Sequence, residues 1–408
     1  MDLNLIVARA VASLSLLFVG SIAFAQSQSN REVLERVWAL GQTRACTQEM
    51  RARFSLDQLE VLSSQIQSPT DRDALSAVLN PFLLSLGMSH TEFFTASDED
   101  YYFFKSHDAL MHPDLPAPPL LVNPGVQLGR DREGHFVREV LDGFPAQLSG
   151  VLRGDQIASL DGLPFTGQWG HGPKLAQVGL LRNGLALNVT LELHALNWSE
   201  AFQEATRRSV RIIETEGGAI GYVRLWVGTH PQSAALLREI VSRLKPTVQS
   251  LILDLRGGYG GAWWEHLDPF YTDSSSYFIA QWIDAGGEMT PESAETHSNP
   301  SAFTGPMAVL INEGVRSGKE ALTHQFKRTG RARLIGTRTP GYFSAGGYYF
   351  TDEPVDYGLY LCATRVTLDG TQIEGVGIAP DEEVSFSAEG PFHDSQLEHA
   401  VTYLRSLR

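Results

Sequence analysis

Residues 251–261 read Leu251-Ile252-Leu253-Asp254-Leu255-Arg256-Gly257-Gly258-Tyr259-Gly260-Gly261, an apolar run that ends in four glycines within five positions. A continuous apolar run of this length suits a strand buried on both faces. The glycines behind it let backbone N–H groups point into a cleft without side-chain obstruction, which an oxyanion site requires. A phosphate cradle is the rival use, but no Lys-Ser/Thr pair follows as in a P-loop. A purely structural tight turn is the third.

Outward from this stretch the same grammar repeats. Ile220 to Leu225 reads as a strand and Ser233 to Leu244 as the helix that follows it. Met307 to Ile311 is a strand leading into a helical stretch from Lys319 to Lys327, and Ala332 to Gly336 is a further strand. Strands separated by helices predict a partly parallel α/β sheet over residues 197–408. Sites in such sheets gather past the carboxyl ends of the strands. On the amino side, Arg31 to Leu86 is helically patterned, with Ser68-Pro69-Thr70-Asp71 opening one of the helices. It stops at Gly87, before the polar and aromatic patch Ser89 to Phe94. The proline-rich 112–119 cannot continue a helix and reads as a linker. From Gly125 to about His194 come short strand-like runs, including Phe136 to Val140 and Leu187 to Leu193.

The chain has 408 residues, enough for two or three domains, and its 43% hydrophobic and 19% charged content is ordinary for a globular protein. Lys+Arg 32 against Asp+Glu 47 leaves a formal charge of -15, which repels phosphate backbones and argues against a nucleic-acid partner. Arg9, an apolar run from Ala10 to Phe24 and Ala23-Phe24-Ala25 before Gln26 predict a secretory signal over residues 1–25. An uncleaved anchor is the alternative. Cleavage would leave a protein without stable membrane insertion, periplasmic or secreted. Cys46 and Cys362 permit one disulfide in that compartment, with two unpaired core cysteines as the alternative. No Cys or His cluster suggests zinc; neither a metal nor an organic cofactor is expected.

Asn312-Glu313-Gly314-Val315-Arg316-Ser317-Gly318-Lys319-Glu320 puts Ser317 at the mouth of a helix, where free N–H groups and the dipole favour a developing oxyanion. An ordinary N-cap serine is the bland reading. Asp-Leu-Arg with its glycine turn, Asn-Glu-Gly-x-x-Ser before a helix, and Gly330-Arg331-Ala332 leading into Gly336-Thr337 resemble, in order, the C-terminal processing (tail-specific) serine peptidases. The resemblance covers nearly the whole mature chain. It implies a Clp/crotonase-like α/β core, Ser317 as nucleophile, and an oxyanion hole from the N–H groups of Gly318 and Gly260 or Gly261. It also implies protein or peptide substrates. Within residues 118–196, Gly143-Phe144-Pro145-Ala146, Gly150 to Ile157 and Asp161-Gly162 resemble a PDZ domain. Such a module adds a peptide strand to a sheet edge, or survives as a packing module only.

One departure matters. The tail-specific branch carries a catalytic lysine in a Phe-Gly-Lys-Gly loop, whereas this chain reads Thr339-Pro340-Gly341-Tyr342-Phe343. Lys319 lies two residues past Ser317, and at about 100° per residue it points to roughly the opposite face of the helix, where it reads as solvated. Ser89-His90-Thr91 instead resembles the Ser-His element of the tricorn branch. Glu374, in Ile373-Glu374-Gly375-Val376-Gly377-Ile378-Ala379-Pro380-Asp381, resembles the family's Glu-x-x-Gly-Val-x-Pro-Asp ending. The resemblance thus assigns a tetrad of Ser89, His90, Ser317 and Glu374. Histidine, with an ordinary pKa near 6.5, suits the base. Glu374 would orient it or bind a water. The expected protein has an N-terminal helical domain over 26–115 that carries Ser89 and His90, then the PDZ module and the core. A periplasmic peptide-binding protein that has lost proteolysis is the rival, motivated by the missing lysine.

Overall fold

A computed structural model describes residues 28–349, 356–390 and 393–407. The signal expected at residues 1–25 lies outside them. Among the described residues no helix is long and apolar enough to cross a membrane.

The central sheet has six strands, in the order Glu382–Glu383, Arg333–Gly336, Met307–Ile311, Ser250–Asp254, Ile220–Arg224 and Arg211–Ile213. All neighbours are parallel except the last pair. Its inner strands Ser250–Asp254 and Met307–Ile311 are buried along their whole length because both sides are covered. Leu251, Leu253, Val309 and Ile311 pack against Leu236, Leu237 and Ile240 of helix Ser233–Leu244 and Leu322 and Phe326 of helix Gly318–Thr329. Ile252, Ala308, Leu310 and Ile335 pack instead on Leu397, Ala400 and Leu404 of the C-terminal helix Ser395–Ser406. Alternation of side chains along each strand sends successive residues to the two layers.

Four helices, Asn30–Arg44, Gln48–Arg53, Leu56–Gln65 and Arg72–Leu84, precede the patch at Ser89. Each begins on a side-chain cap, from Ser29, Thr47, Ser55 and Asp71 respectively. They do not form a separate body. The strand Glu92–Thr95 pairs antiparallel with the long strand Tyr357–Leu368, whose Tyr357, Leu359 and Leu361 enter the same core as Val33, Leu34 and Trp38. Cys46 and Cys362 form a disulfide across 316 residues of sequence, so the two unpaired thiols allowed above are not what the fold contains. This bond staples the amino-terminal helices to the strand that pairs next to His90. Replacing both cysteines by alanine is expected to lower stability by about 2–4 kcal/mol, as closing a long loop does. Denaturant midpoints of the two proteins check this, and equal midpoints would refute it.

Residues 121–196 form a sheet in the order Leu121–Asn123, Leu185–Leu196, Lys174–Arg182, Gln156–Leu160, His135–Val140 and Val126–Arg130, with Leu163–Pro164 paired to Gln156–Leu160. It has its own core, including Val126, Val137, Ile157, Val178 and Leu191. Its one helix is the short Pro145–Leu148. The edge strand Val126–Arg130 faces inward: Leu128 N–H donates to Glu99 Oε2 at 3.2 Å, and Gln127 Oε1 accepts from Gly258 N–H at 3.0 Å. The sheet edge therefore meets the glycine turn of the core.

Candidate active site

Three adjacent parallel strands deliver the site at their carboxyl ends. Ser250–Asp254 runs into the glycine turn, Met307–Ile311 into the loop before Ser317, and Arg333–Gly336 into residues 337–344. Asn312 ties the first two together, since its Oδ1 accepts from Gly257 N–H at 3.2 Å and Gly314 N–H at 2.9 Å. Arg256, buried, is held by Asp254, Asp394 and Gln396 and anchors the root of the turn.

Ser317 has φ 57° and ψ -133°, a region that a non-glycine residue occupies only under constraint. The constraint is visible: Ser317 N–H donates to Tyr342 O at 2.7 Å, and Gly318 follows with no room for a side chain. A Cβ on Gly318 would come 2.0 Å from Ala262 O, so glycine alone lets the helix start against the segment that follows the turn. The Ser317 hydroxyl makes no capping bond to its helix, which removes the bland N-cap explanation. Gly260 passes on its other side, where an added Cβ would lie 2.6 Å from Ser317 Cβ and 3.3 Å from Oγ. Gly261, at φ 87°, packs on Thr229. Among the described residues the N–H groups of Gly260, Gly261 and Gly318 have no acceptor. All three are thus free to serve a ligand oxygen.

Across a cavity of about 390 Å³ from Ser317 lie Ser89, His90 and Glu374, with Gly260 and Gly261 also in its lining. Ser89 Oγ donates to Glu374 Oε2 at 2.8 Å and sits 2.7 Å from His90 Nδ1. With its proton given to the carboxylate, the hydroxyl can only accept from Nδ1–H, which leaves Nε2 as the basic nitrogen. Glu374 is itself fixed by N–H groups of Ser89, Phe343 and Ser344 at 2.6–2.7 Å. His90 is a positive-φ residue, φ 57°, whose ring meets Tyr360 edge-on. Burial, with the charge of Arg316 second, pushes its pKa down to about 3. The imidazole is therefore neutral, as a base must be. Among the described residues no hydrogen bond joins His90 to Ser317.

Several partners had no signal in the sequence. Ser344 Oγ donates to Ser89 O at 3.0 Å and lies 3.0 Å from Ser89 Oγ. Glu320 is buried and its Oε1 accepts from Thr339 Oγ1 at 2.6 Å and Gly341 N–H at 2.8 Å, which holds the 339–344 loop. Burial pushes that carboxyl up to about 7. The loop that departs from the lysine-bearing pattern thus lends its backbone to Ser317 and Glu374. Arg316 lies over Tyr259, whose hydroxyl donates to Asp100. Lys319 is the correction: it is wholly buried rather than solvated, because it points beneath the glycine turn instead of outward.

Residues 219–384 match the model of peptidase family S41. That stretch holds the central parallel strands, the glycine turn, Ser317 and Glu374. Carboxyl-terminal-processing peptidase 3, chloroplastic, from Arabidopsis thaliana is 26% identical over 80% of this chain and 63% of its own length. The carboxy-terminal-processing protease of Bartonella bacilliformis is 24% identical over 82% of the chain and 75% of its own length. A second Arabidopsis thaliana relative, carboxyl-terminal-processing peptidase 2, is spanned over only 49% of its length. Among solved structures, the photosystem II D1 C-terminal processing protease aligns at TM-score 0.54 and 18% identity over 87% of this chain and 93% of its own. A putative S41 protease from Bacteroides fragilis aligns at 0.55 and 14% over 91% and 97%. These structural likenesses speak for the fold alone.

Proposed function

We propose that this chain is an exported serine endopeptidase of the S41 type that cleaves protein or peptide substrates by acyl transfer. Ser317 attacks the peptide carbonyl, His90 takes its proton through Nε2, and Ser89 with Glu374 holds the imidazole in the tautomer that allows this. The N–H groups of Gly318 and of Gly260 or Gly261 receive the oxyanion. Residues 118–196 are read as a PDZ-like module and residues 26–115 as the helical part that brings in His90. The observation that carries the reading is the chain His90 Nδ1, Ser89 Oγ, Glu374 Oε2, opening on the same cavity as an uncapped, strained Ser317. The chemistry needs no metal or organic cofactor, since base, nucleophile and oxyanion donors all come from the chain.

Labelling by a fluorophosphonate, followed by peptide mapping, tests this reading. The adduct is expected on Ser317 and to vanish in Ser317→Ala. A folded protein that binds peptides yet takes no label would favour the binding-only rival. The pH dependence carries a sign. A base held at about 3 is neutral throughout the range above that value. The acid limb of kcat/KM, which reports the free enzyme, is thus expected below histidine's ordinary 6.5. A limb at or above 6.5 would contradict a half-buried, neutral His90.

A further inference from the structure

We propose that Lys319 is a positioning residue for the oxyanion site, its side chain clamping the glycine turn onto the first turn of the helix that begins at Gly318. The inference rests on the peptidase reading above. Lys319 Nζ donates to Gly257 O at 2.8 Å, Trp226 O at 3.1 Å and Leu255 O at 3.4 Å. Those carbonyls follow the ends of two neighbouring parallel strands, Ile220–Arg224 and Ser250–Asp254. All three partners of Nζ are carbonyl oxygens, so its N–H bonds point at the turn whether it is ammonium or amine, and among the described residues no hydrogen bond joins it to Ser317. Lys319 is a clamp, not a base.

The choice of lysine argues for the clamp. Burying an ammonium is costly, and an apolar side chain of similar length would fill the space without that penalty. Burial, and after it the charge of Arg224, holds the lysine well below its ordinary pKa, while Asp254 favours the charged form. What lysine supplies and methionine cannot is a set of donors for a turn whose own N–H groups are committed elsewhere. Gly257 N–H goes to Asn312 and Gly258 N–H to Gln127, while Tyr259 N–H goes to Trp226 O. The turn is therefore held from above by Asn312 and Gln127 and from below by Lys319. Gly260 and Gly261, next along the chain, keep their N–H groups free of any acceptor among the described residues. The clamp and the nucleophile are two residues apart, so the position of one oxyanion donor is tied to that of Ser317 and Gly318. Such sites need placement to within about 0.5 Å, and a shift of about 1 Å can cost roughly a hundredfold in rate.

Lys319→Met, Lys319→Gln and, as a stability control on the far side of the sheet, Leu404→Ala would be compared with the parent at a temperature where all remain folded. Two readouts are taken: amide hydrogen exchange in peptides covering 255–262, and kcat and KM on an unstructured peptide substrate. Expected for Lys319→Met is faster exchange confined to that segment and a kcat lowered by about ten- to a hundredfold with KM nearly unchanged, since a misplaced donor is felt in the transition state. Lys319→Gln, with two donors, should fall between. Leu404→Ala should lose stability without either change. Unchanged exchange in 255–262, or normal kcat in folded Lys319→Met, would overturn the clamp. Failure of both lysine variants to fold would overturn it too, in favour of a purely structural lysine. Ser317→Ala is measured beside them: if it turns over like the parent, the peptidase reading fails, whereas the exchange readout still decides the clamp.

Discussion

His90→Ala is expected to lower kcat for peptide cleavage by about 10⁴-fold or more, as far as Ser317→Ala does, and the double variant should lose no more than either single one. Nucleophile and base act as one unit, so removing the second member after the first finds nothing left to remove. The physical ground is the tautomer. Only a neutral imidazole whose Nδ1–H is engaged by Ser89 offers Nε2 across the cavity, and burial keeps it neutral. Turnover measured for the three variants and the parent, with circular dichroism to show that each is folded, checks this. Additive losses, or a His90→Ala protein within tenfold of the parent, would assign the base elsewhere.

The second large effect is expected at the glycine turn, and the two glycines should part company. Gly260 is not at positive φ, so alanine there pays no backbone penalty of that kind; its Cβ would instead press within 2.6 Å of Arg316 O and Ser317 Cβ. That collision would displace Ser317 relative to the proposed oxyanion donors, and the expected loss is about 10²- to 10³-fold in kcat with a small change in KM. Gly261 is different. At φ 87°, with an added Cβ 2.0 Å from Thr229 Cγ2, its alanine variant should first lose stability. Melting temperatures taken beside the kinetics separate the two, and a Gly260→Ala enzyme with normal turnover would show that the turn is only structural.

Much of the central sheet was legible because parallel strands buried on both faces and their helices are written in local patterns. Ser233–Leu244 and Met307–Ile311 fall where periodicity and apolar runs place them. The antiparallel sheet around Tyr357–Leu368 was not, since its partners Glu92–Thr95 and Ala280–Ile283 are far away in sequence and none carries a strong strand signal alone. The same holds for the Cys46–Cys362 bond. Lys319 misled for a related reason: helical spacing correctly turns it away from Ser317, but only the packed turn of residues 255–261 decides whether that direction is solvent or core. Ser344 could not have been singled out, because its contact with Ser89 depends on the conformation of the whole 339–344 loop. Ser89, His90 and Glu374 were nominated by resemblance, and spacing alone would not have brought them together.

The most direct test of the central claim is a crystal structure of the protein inactivated by a peptidyl phosphonate. Expected is a covalent bond to Ser317 Oγ, with a phosphoryl oxygen about 2.7–3.1 Å from the N–H of Gly318 and from that of Gly260 or Gly261. His90 Nε2 is expected within about 3.2 Å of the Ser317 oxygen. An adduct on Ser317 with His90 still out of reach and another side chain in hydrogen-bond contact would contradict the account.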